Sequence, residues 1–381
     1  MSVAVVAHSG GPTPVINASL LGVYSEAREN RSIRKLLGAR YGISGILKND
    51  FIDVSSQSVD VMQAIGHAPS SALGTSRQRV DMERVLDVFR SRDVRWLFYT
   101  GGNGSMGTAH EIDAYARANG YELIVVGIPK TIDNDLTVTD HTPGYASTGH
   151  FFATAVRDID ADNRALPGQV EIVEILGRNV GWLAAATTLP RVDESDGPHL
   201  VYLPERRLPR DKFLADVEGM FTRLGRCVVA ICEGQLDENG EPFGADVRSG
   251  SGGELAMNLG HTLAKLVTSR LNIRARSEKP GLLGRVTSAF HERDYRESRL
   301  CGMAAVRAAA EGIGGNMITL QRIPGPDYEV TTGVAPLNRV AKQERPFPSE
   351  WMHPTAADVL PEFRDWATPL IGVVPPHPRL A

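Results

Sequence analysis

Short apolar runs that stop at glycine-rich or polar turns, each followed by helical periodicity, constrain this chain more than any other feature. Residues 3–7 lead into Ser9-Gly10-Gly11, residues 96–99 into Gly101-Gly102, and residues 123–126 into Gly127. The rhythm returns at 170–176 before Gly177-Arg178 and at 228–231 before Cys232-Glu233-Gly234. Strands alternating with helices in this way predict an α/β protein with mainly parallel sheets. Met82, Val85, Leu86 and Phe89 fall at i, i+3, i+4 and i+7, as do Phe152, Ala155, Val156 and Ile159, and both stripes predict core-facing helices. Residues 237–253 are polar and rich in Gly and Ser, which predicts an exposed loop before a helix over about 254–271.

At 381 residues the chain exceeds one ordinary core, so two domains are expected, with the chain free to pass between them more than once. A hydrophobic fraction of 42%, a charged fraction of 23% and a net charge of -4 exclude a disordered or fibrous chain. Lys and Arg do not cluster with aromatics, so no nucleic acid partner is expected. Cys227, Cys232 and Cys301 lack metal-ligand spacing and read as buried free thiols. The N-terminal stretch has no basic leader, and no segment reaches the ~18 apolar residues of a membrane span. A cytoplasmic protein is expected.

Ligands of open parallel sheets sit at the carboxyl ends of the strands, and three polar constellations fall there. Gly10-Gly11-Pro12-Thr13 precedes a helix, where backbone N–H groups and the helix dipole would meet an anion. Residues 101–107, GGNGSMG, hold four glycines in seven, more than one turn requires, and predict a phosphate cradle. In the run PKTIDND, at 129–135, Asp133 and Asp135 stand two apart beside Lys130 and Thr131, directly after a strand. Two carboxylates this close can divide labour: one accepts the proton of an attacking hydroxyl, the other holds Mg²⁺, and the lysine neutralises phosphate charge.

On these motifs the chain resembles the phosphofructokinase family, which contains both ATP-dependent and pyrophosphate-dependent enzymes. GGPTPVINASL at 10–20, LGTSR at 73–77, GGNGSMGTA at 101–109, PKTIDNDL at 129–136 and DHTPGYAST at 140–148 carry the resemblance. It continues through VEILGRNVGWLA at 173–184, YLPE at 202–205, CEG at 232–234 and PGLLGR at 280–285.

The resemblance implies two Rossmann-like lobes with the site between them. Residues 1–145 with about 284–335 would hold the phosphoryl donor, and about 146–283 with 336–381 the sugar. It implies that Asp133 is the base, that Asp135 and Asn103 serve the Mg²⁺, and that Gly11, Gly102, Asn103, Gly104 and Ser105 hold the donor. Arg77, expected to open a helix, and Lys130 would stabilise the transferring phosphoryl group. Thr131, Gly177, Arg178 and Glu233 would line the sugar, and Arg276 and Arg285 would grip its phosphate with planar forks. Neighbouring subunits of a homodimer or homotetramer would complete the acceptor site. His8, His141 and His150 receive no role.

Lysine at 130 resembles the pyrophosphate-dependent members, whereas glycine at 104, where many of those carry aspartate, resembles the ATP-dependent ones. Pyrophosphate is the expected donor and ATP the alternative. Gln169, Leu176 and Gly284 depart from the family pattern on the acceptor side. Losing one charged phosphate contact costs ~1.5 to 3 kcal/mol, which weakens fructose 6-phosphate binding without abolishing it. The expected reaction is phosphoryl transfer to the 1-hydroxyl of fructose 6-phosphate. Alternatives are a kinase of another sugar or cyclitol, or a non-catalytic phosphosugar-binding homologue.

Overall fold

The computed structural model describes residues 2–243, 247–250, 253–325 and 327–379. The chain divides into two compact units, Met1–Tyr145 with Arg285–Arg345 and Ala146–Gly284 with Pro346–Ala381. Residues 336–345, expected with the second lobe, belong to the first unit, because Leu337 and Val340 of the short helix Leu337–Val340 are buried in its core.

Among the described residues the first unit carries a seven-stranded sheet. Its strands are β1 (Ser2–His8), β2 (Ile33–Ala39), β3 (Phe51–Asp53), β4 (Val94–Gly101), β5 (Ile124–Pro129), and later in the chain Asn316–Ile323 and Glu329–Pro336. The order is Glu329–Pro336, Asn316–Ile323, β5, β4, β1, β2, β3, parallel inside and antiparallel at both edges. Strands β1, β4 and β5 are buried and mostly apolar because helices cover both faces. Val5, Leu97 and Val125 pack beneath the helices Met82–Ser91 and Asn103–Ala118, while Val6, Phe98 and Val126 meet the helices Ile16–Glu29 and Glu292–Ala310. The last two helices touch backbone to backbone: a Cβ on Gly22 would stand 2.1 Å from the Arg299 carbonyl oxygen.

Beneath the chain's return to this sheet lies a buried charge cluster. His141, fully buried, pairs through Nε2 with Glu297 at 2.7 Å and through Nδ1 with Asp140 at 2.8 Å. Burial opposes the imidazolium, but Glu297 and Asp140 outweigh it and raise the His141 pKa to about 9.

The second unit holds a four-stranded parallel sheet of β6 (Gln169–Ile175), β7 (Leu200–Tyr202), β8 (Cys227–Cys232) and β11 (Arg274–Glu278), in the order β11, β6, β8, β7. The intervening β9 (Val247–Gly250) and β10 (Gly253–Ala256) pair as a hairpin. The expected loop over 237–253 thus contains a hairpin strand, and the following helix starts at Leu259 rather than about 254. Residues 244–246, 251 and 252 of that loop lie outside the described residues. The stripe of the helix Tyr145–Ala165 is rotated from expectation: Phe152, Ala153 and Val156 are buried, whereas Ala155 and Ile159 are half-buried. All three cysteines are buried, and none forms a disulfide. Trp182 joins Phe347, Trp351, Phe363 and Trp366 in one aromatic cluster with ring centroids 5.2 to 6.2 Å apart, which ties the final segment to this unit.

Two predictions concern stability. Gly22→Ala forces a methyl into the Arg299 carbonyl and should cost about 1 to 3 kcal/mol, whereas Gly219→Ala, on an exposed helix position with open space, should gain up to about 1 kcal/mol in urea titrations. The second follows from the raised His141 pKa, whose stabilisation is fully present below the ordinary value near 6.5 and is lost as pH rises through about 9. Wild-type stability should therefore fall from pH 7 to 10 by a component that His141→Gln lacks.

Candidate active site

In the first unit the ends of β1, β4 and β5 bring three turns together. Lys130, the residue after β5, extends its ammonium into the turn after β1 and donates to the Gly11 carbonyl at 2.7 Å. A Cβ on Gly11 would lie 3.2 Å from Arg285 Nη1, so Gly11, Lys130 and Arg285 form one contact group. Arg77 is exposed, yet its charge reaches Lys130. It does not open a helix as expected: the helix begins at Met82, capped by Asp81, whose carboxylate accepts the Arg84 N–H at 3.0 Å.

The glycine-rich stretch after β4 is not a free loop. Its residues from Asn103 onward are the first turn of the sixteen-residue helix Asn103–Ala118, which has no acidic residue in that turn. A helix N-terminus presents unpaired N–H groups and a partial positive charge, so the anion-binding capacity expected of a loop is supplied by the helix end. Ser105 is buried in this turn, whereas Gly104 faces open space, with nothing within 4 Å of a Cβ placed there. Gly102 adjoins Lys130 and Thr131, with a Cβ there 3.6 Å from the Lys130 carbonyl oxygen.

Residues 131–142 fold back tightly. The Asp133 N–H donates to Thr131 Oγ1 at 3.1 Å, and the Thr142 hydroxyl donates to the Thr131 carbonyl at 2.9 Å. Asn134 sits between the two aspartates in the left-handed region, φ 59°, and its side-chain oxygen accepts the Thr142 N–H at 3.1 Å. Asn103 Nδ2 donates to Asp135 Oδ2 at 2.9 Å. The amide group expected beside a metal is thus placed as a hydrogen-bond donor to Asp135.

Burial and charge set the protonation of this group. Burial lowers the Lys130 pKa to about 8 against the opposing pull of Asp133 and Asp135, with Arg285 and Arg77 adding to the depression. Burial, then repulsion from Asp133 and Glu344, pushes Asp135 up to about 7. Neighbouring His8 is driven down to about 3, first by burial and then by Lys130, so its imidazole is neutral, with Nδ1 2.7 Å from Ser71 Oγ.

Asp135 Oδ1 is buried without a hydrogen-bond partner among the described residues. That oxygen and the excess negative charge that Asp133 and Glu344 set around it fit a hard divalent cation. Among the described residues no three His, Cys, Asp or Glu side chains form a ready-made metal cage. Mg²⁺ needs none, since it keeps waters and binds through one or two carboxylates plus substrate phosphates.

The second unit groups Gly177, Arg178 and Glu233 at the ends of β6 and β8. Arg178 is left-handed, φ 52°, and its N–H donates to Glu233 Oε1 at 3.4 Å. The crossing is tight: a Cβ on Gly234 would stand 1.6 Å from the Arg178 carbonyl oxygen. Arg276 does not join them. It lies on edge strand β11 opposite Glu171, six residues before Gly177, or roughly 20 Å along the strand. Gln169 is buried, 1% exposed, with both ends of its amide unpaired among the described residues. Gly284 is required by packing, because a Cβ would meet the Phe152 ring at 2.9 Å, so a larger residue has no room here.

Two neighbours of Asp135 escaped sequence reasoning. Glu344 acts on it by charge, and Arg345 donates its N–H to the Asp135 carbonyl at 2.8 Å. Both lie some 210 positions along the chain, outside any motif, and no local signal marks them.

The phosphofructokinase family model matches residues 3–309. Two relatives named pyrophosphate–fructose 6-phosphate 1-phosphotransferase are similar over nearly the whole chain. That of Rhodospirillum rubrum is 36% identical, covering 97% of this chain and 94% of the relative. That of Xanthomonas campestris pv. campestris is 37% identical, covering 96% and 90%. The crystal structure of a pyrophosphate-dependent phosphofructokinase from Marinobacter aquaeolei, 33% identical, superposes with a TM-score of 0.89 over 100% of this chain and 94% of that one. With this family match, this identity and this shared fold, the chain belongs to the phosphofructokinase family.

Proposed function

We propose that the protein transfers a phosphoryl group from pyrophosphate to the 1-hydroxyl of fructose 6-phosphate, with Mg²⁺. The observation that carries the choice of donor is the Lys130 ammonium, buried in the turn after β1 and bonded to Gly11. It sets a fixed positive charge among the donor-side backbone groups, which suits a small, densely charged donor that offers no base or ribose to hold. Gly104 leaves space in which a nucleotide is not obstructed. The relatives' names favour pyrophosphate.

In this reading the pyrophosphate lies against Gly11 and the helix N-terminus at Gly102, Asn103, Gly104 and Ser105. Lys130 and Arg77 meet the charge that spreads over the transferring oxygens. Asp133 accepts the proton of the sugar's 1-hydroxyl as its oxygen attacks phosphorus, and the bridging P–O bond breaks, releasing inorganic phosphate with the electron pair. Asp135 would hold Mg²⁺, with Asn103 orienting its carboxylate. When bound, the ion would neutralise charge on the phosphates. Thr131, Arg285, Gly177, Arg178 and Glu233 carry the acceptor-binding roles that the family likeness gives them. Arg276, on an edge strand remote from Arg178 and Glu233, is better placed to serve a second copy of the chain, as in a homodimer or homotetramer.

Steady-state assays with pyrophosphate or ATP, each against fructose 6-phosphate and a panel of sugars and cyclitols, test the reading. Turnover is expected with pyrophosphate and fructose 6-phosphate. Silence with fructose 6-phosphate under either donor, beside turnover of another polyol, would refute the substrate. Asp133→Asn should abolish turnover while circular dichroism stays that of the wild type. Lys130→Met should lower kcat/KM for pyrophosphate by on the order of 100-fold, with the KM for fructose 6-phosphate little changed.

A further inference from the structure

We infer that Arg345 is a positioning residue for phosphoryl transfer, its guanidinium fixing the backbone that carries Asp133 and Asp135. The inference rests on the roles proposed above for those two carboxylates.

Nε and Nη2 of Arg345 donate to the Asn134 carbonyl at 3.2 and 3.1 Å. Nη1 donates to the carbonyls of Thr139 and Asp140, each at 2.6 Å. The Arg345 backbone N–H takes the Asp135 carbonyl at 2.8 Å. One residue therefore grips residues 134 and 135 on one arm of the loop and 139 and 140 on the other.

The grip matters most at Asn134. A non-glycine residue in the left-handed region is strained, and such geometry persists only where its surroundings determine it. Because Asn134 lies between the two aspartates, rotation of its peptide would swing both carboxylates. A rigid fork can satisfy two arms at once, whereas the compact ammonium of lysine cannot span them. The second arm also reaches the charge cluster, since the Asp140 carboxylate bonds His141 and Arg322. Arg345 thus ties the loop to a fixed point in the core.

The test compares wild type, Arg345→Lys, Arg345→Ala and Asp133→Asn, each checked for native circular dichroism. In Arg345→Lys, kcat should fall about 10- to 100-fold, the order expected when a reacting group is misplaced by an ångström, while KM for fructose 6-phosphate stays within about twofold. The Mg²⁺ concentration for half-activation should rise. Guanidinium ion at millimolar concentration should restore part of the kcat of Arg345→Ala and none in Asp133→Asn. Amide hydrogen exchange over residues 131–140, measured without substrate, should quicken in Arg345→Lys and stay at the wild-type rate in Asp133→Asn. A kcat within twofold of wild type in folded Arg345→Lys overturns the inference, as does unchanged exchange in that loop. Wild-type protein inactive with pyrophosphate and fructose 6-phosphate would instead sink the proposed reaction, and the exchange rates would still decide the role of Arg345.

Discussion

A buried ammonium organises the strand ends of the first unit. Lys130 enters the interior at the end of β5, where losing water costs its charged form, and its pKa falls to about 8. What keeps it charged near neutral pH is local: the Gly11 carbonyl at 2.7 Å and the two aspartates that follow it in the chain. The turn after β1 must therefore stay where Lys130 can reach it. The helix beginning at Asn103 is held to the same spot, because the Lys130 N–H takes the Gly101 carbonyl at 3.1 Å. Side chain and main chain of one residue thus fix all three strand ends.

The same charges explain why the loop after Lys130 is so heavily tied. Burial, with repulsion from Asp133 and Glu344, pushes the Asp135 pKa up to about 7. Left alone, the loop would relax by turning a carboxylate outward. It is restrained by Thr131 and Thr142 from within and by Arg345 from a distant part of the chain. A divalent cation and a polyphosphate would together relieve both the negative charge of the aspartates and the positive charge of Lys130, Arg77 and Arg285. The site is strained electrostatically in a sense that its proposed ligands complement.

Much of this was legible in the sequence, and the failures have physical causes. The five apolar runs are strands β1, β4, β5, β6 and β8, because burial on both faces leaves an apolar signal that is broken only in β6, by Glu171 and Glu174. The motif residues Gly11, Gly102, Asn103, Lys130, Thr131 and Asp135 are brought together because strand ends gather there. The rotated stripe of the helix Tyr145–Ala165 escaped because Asp160 and Asn163, both buried, hold the core-facing side through polar bonds that periodicity cannot weigh. Arg77 does not open a helix because its segment stays irregular up to Asp81, and the helix Met82–Ser91 takes shape only at Met82. The hairpin of β9 and β10 is short and polar, so composition marked it as loop. Arg345 acts on backbone carbonyls, which every residue has, and leaves no trace in the residue types it holds.

Phosphorus NMR of the protein incubated with pyrophosphate, fructose 6-phosphate and Mg²⁺ tests the account most directly. The pyrophosphate resonance should vanish as inorganic phosphate and a new phosphomonoester at the sugar's C1 appear in equal amounts. Persistent pyrophosphate, or its conversion to inorganic phosphate alone without a second sugar phosphate, would contradict it.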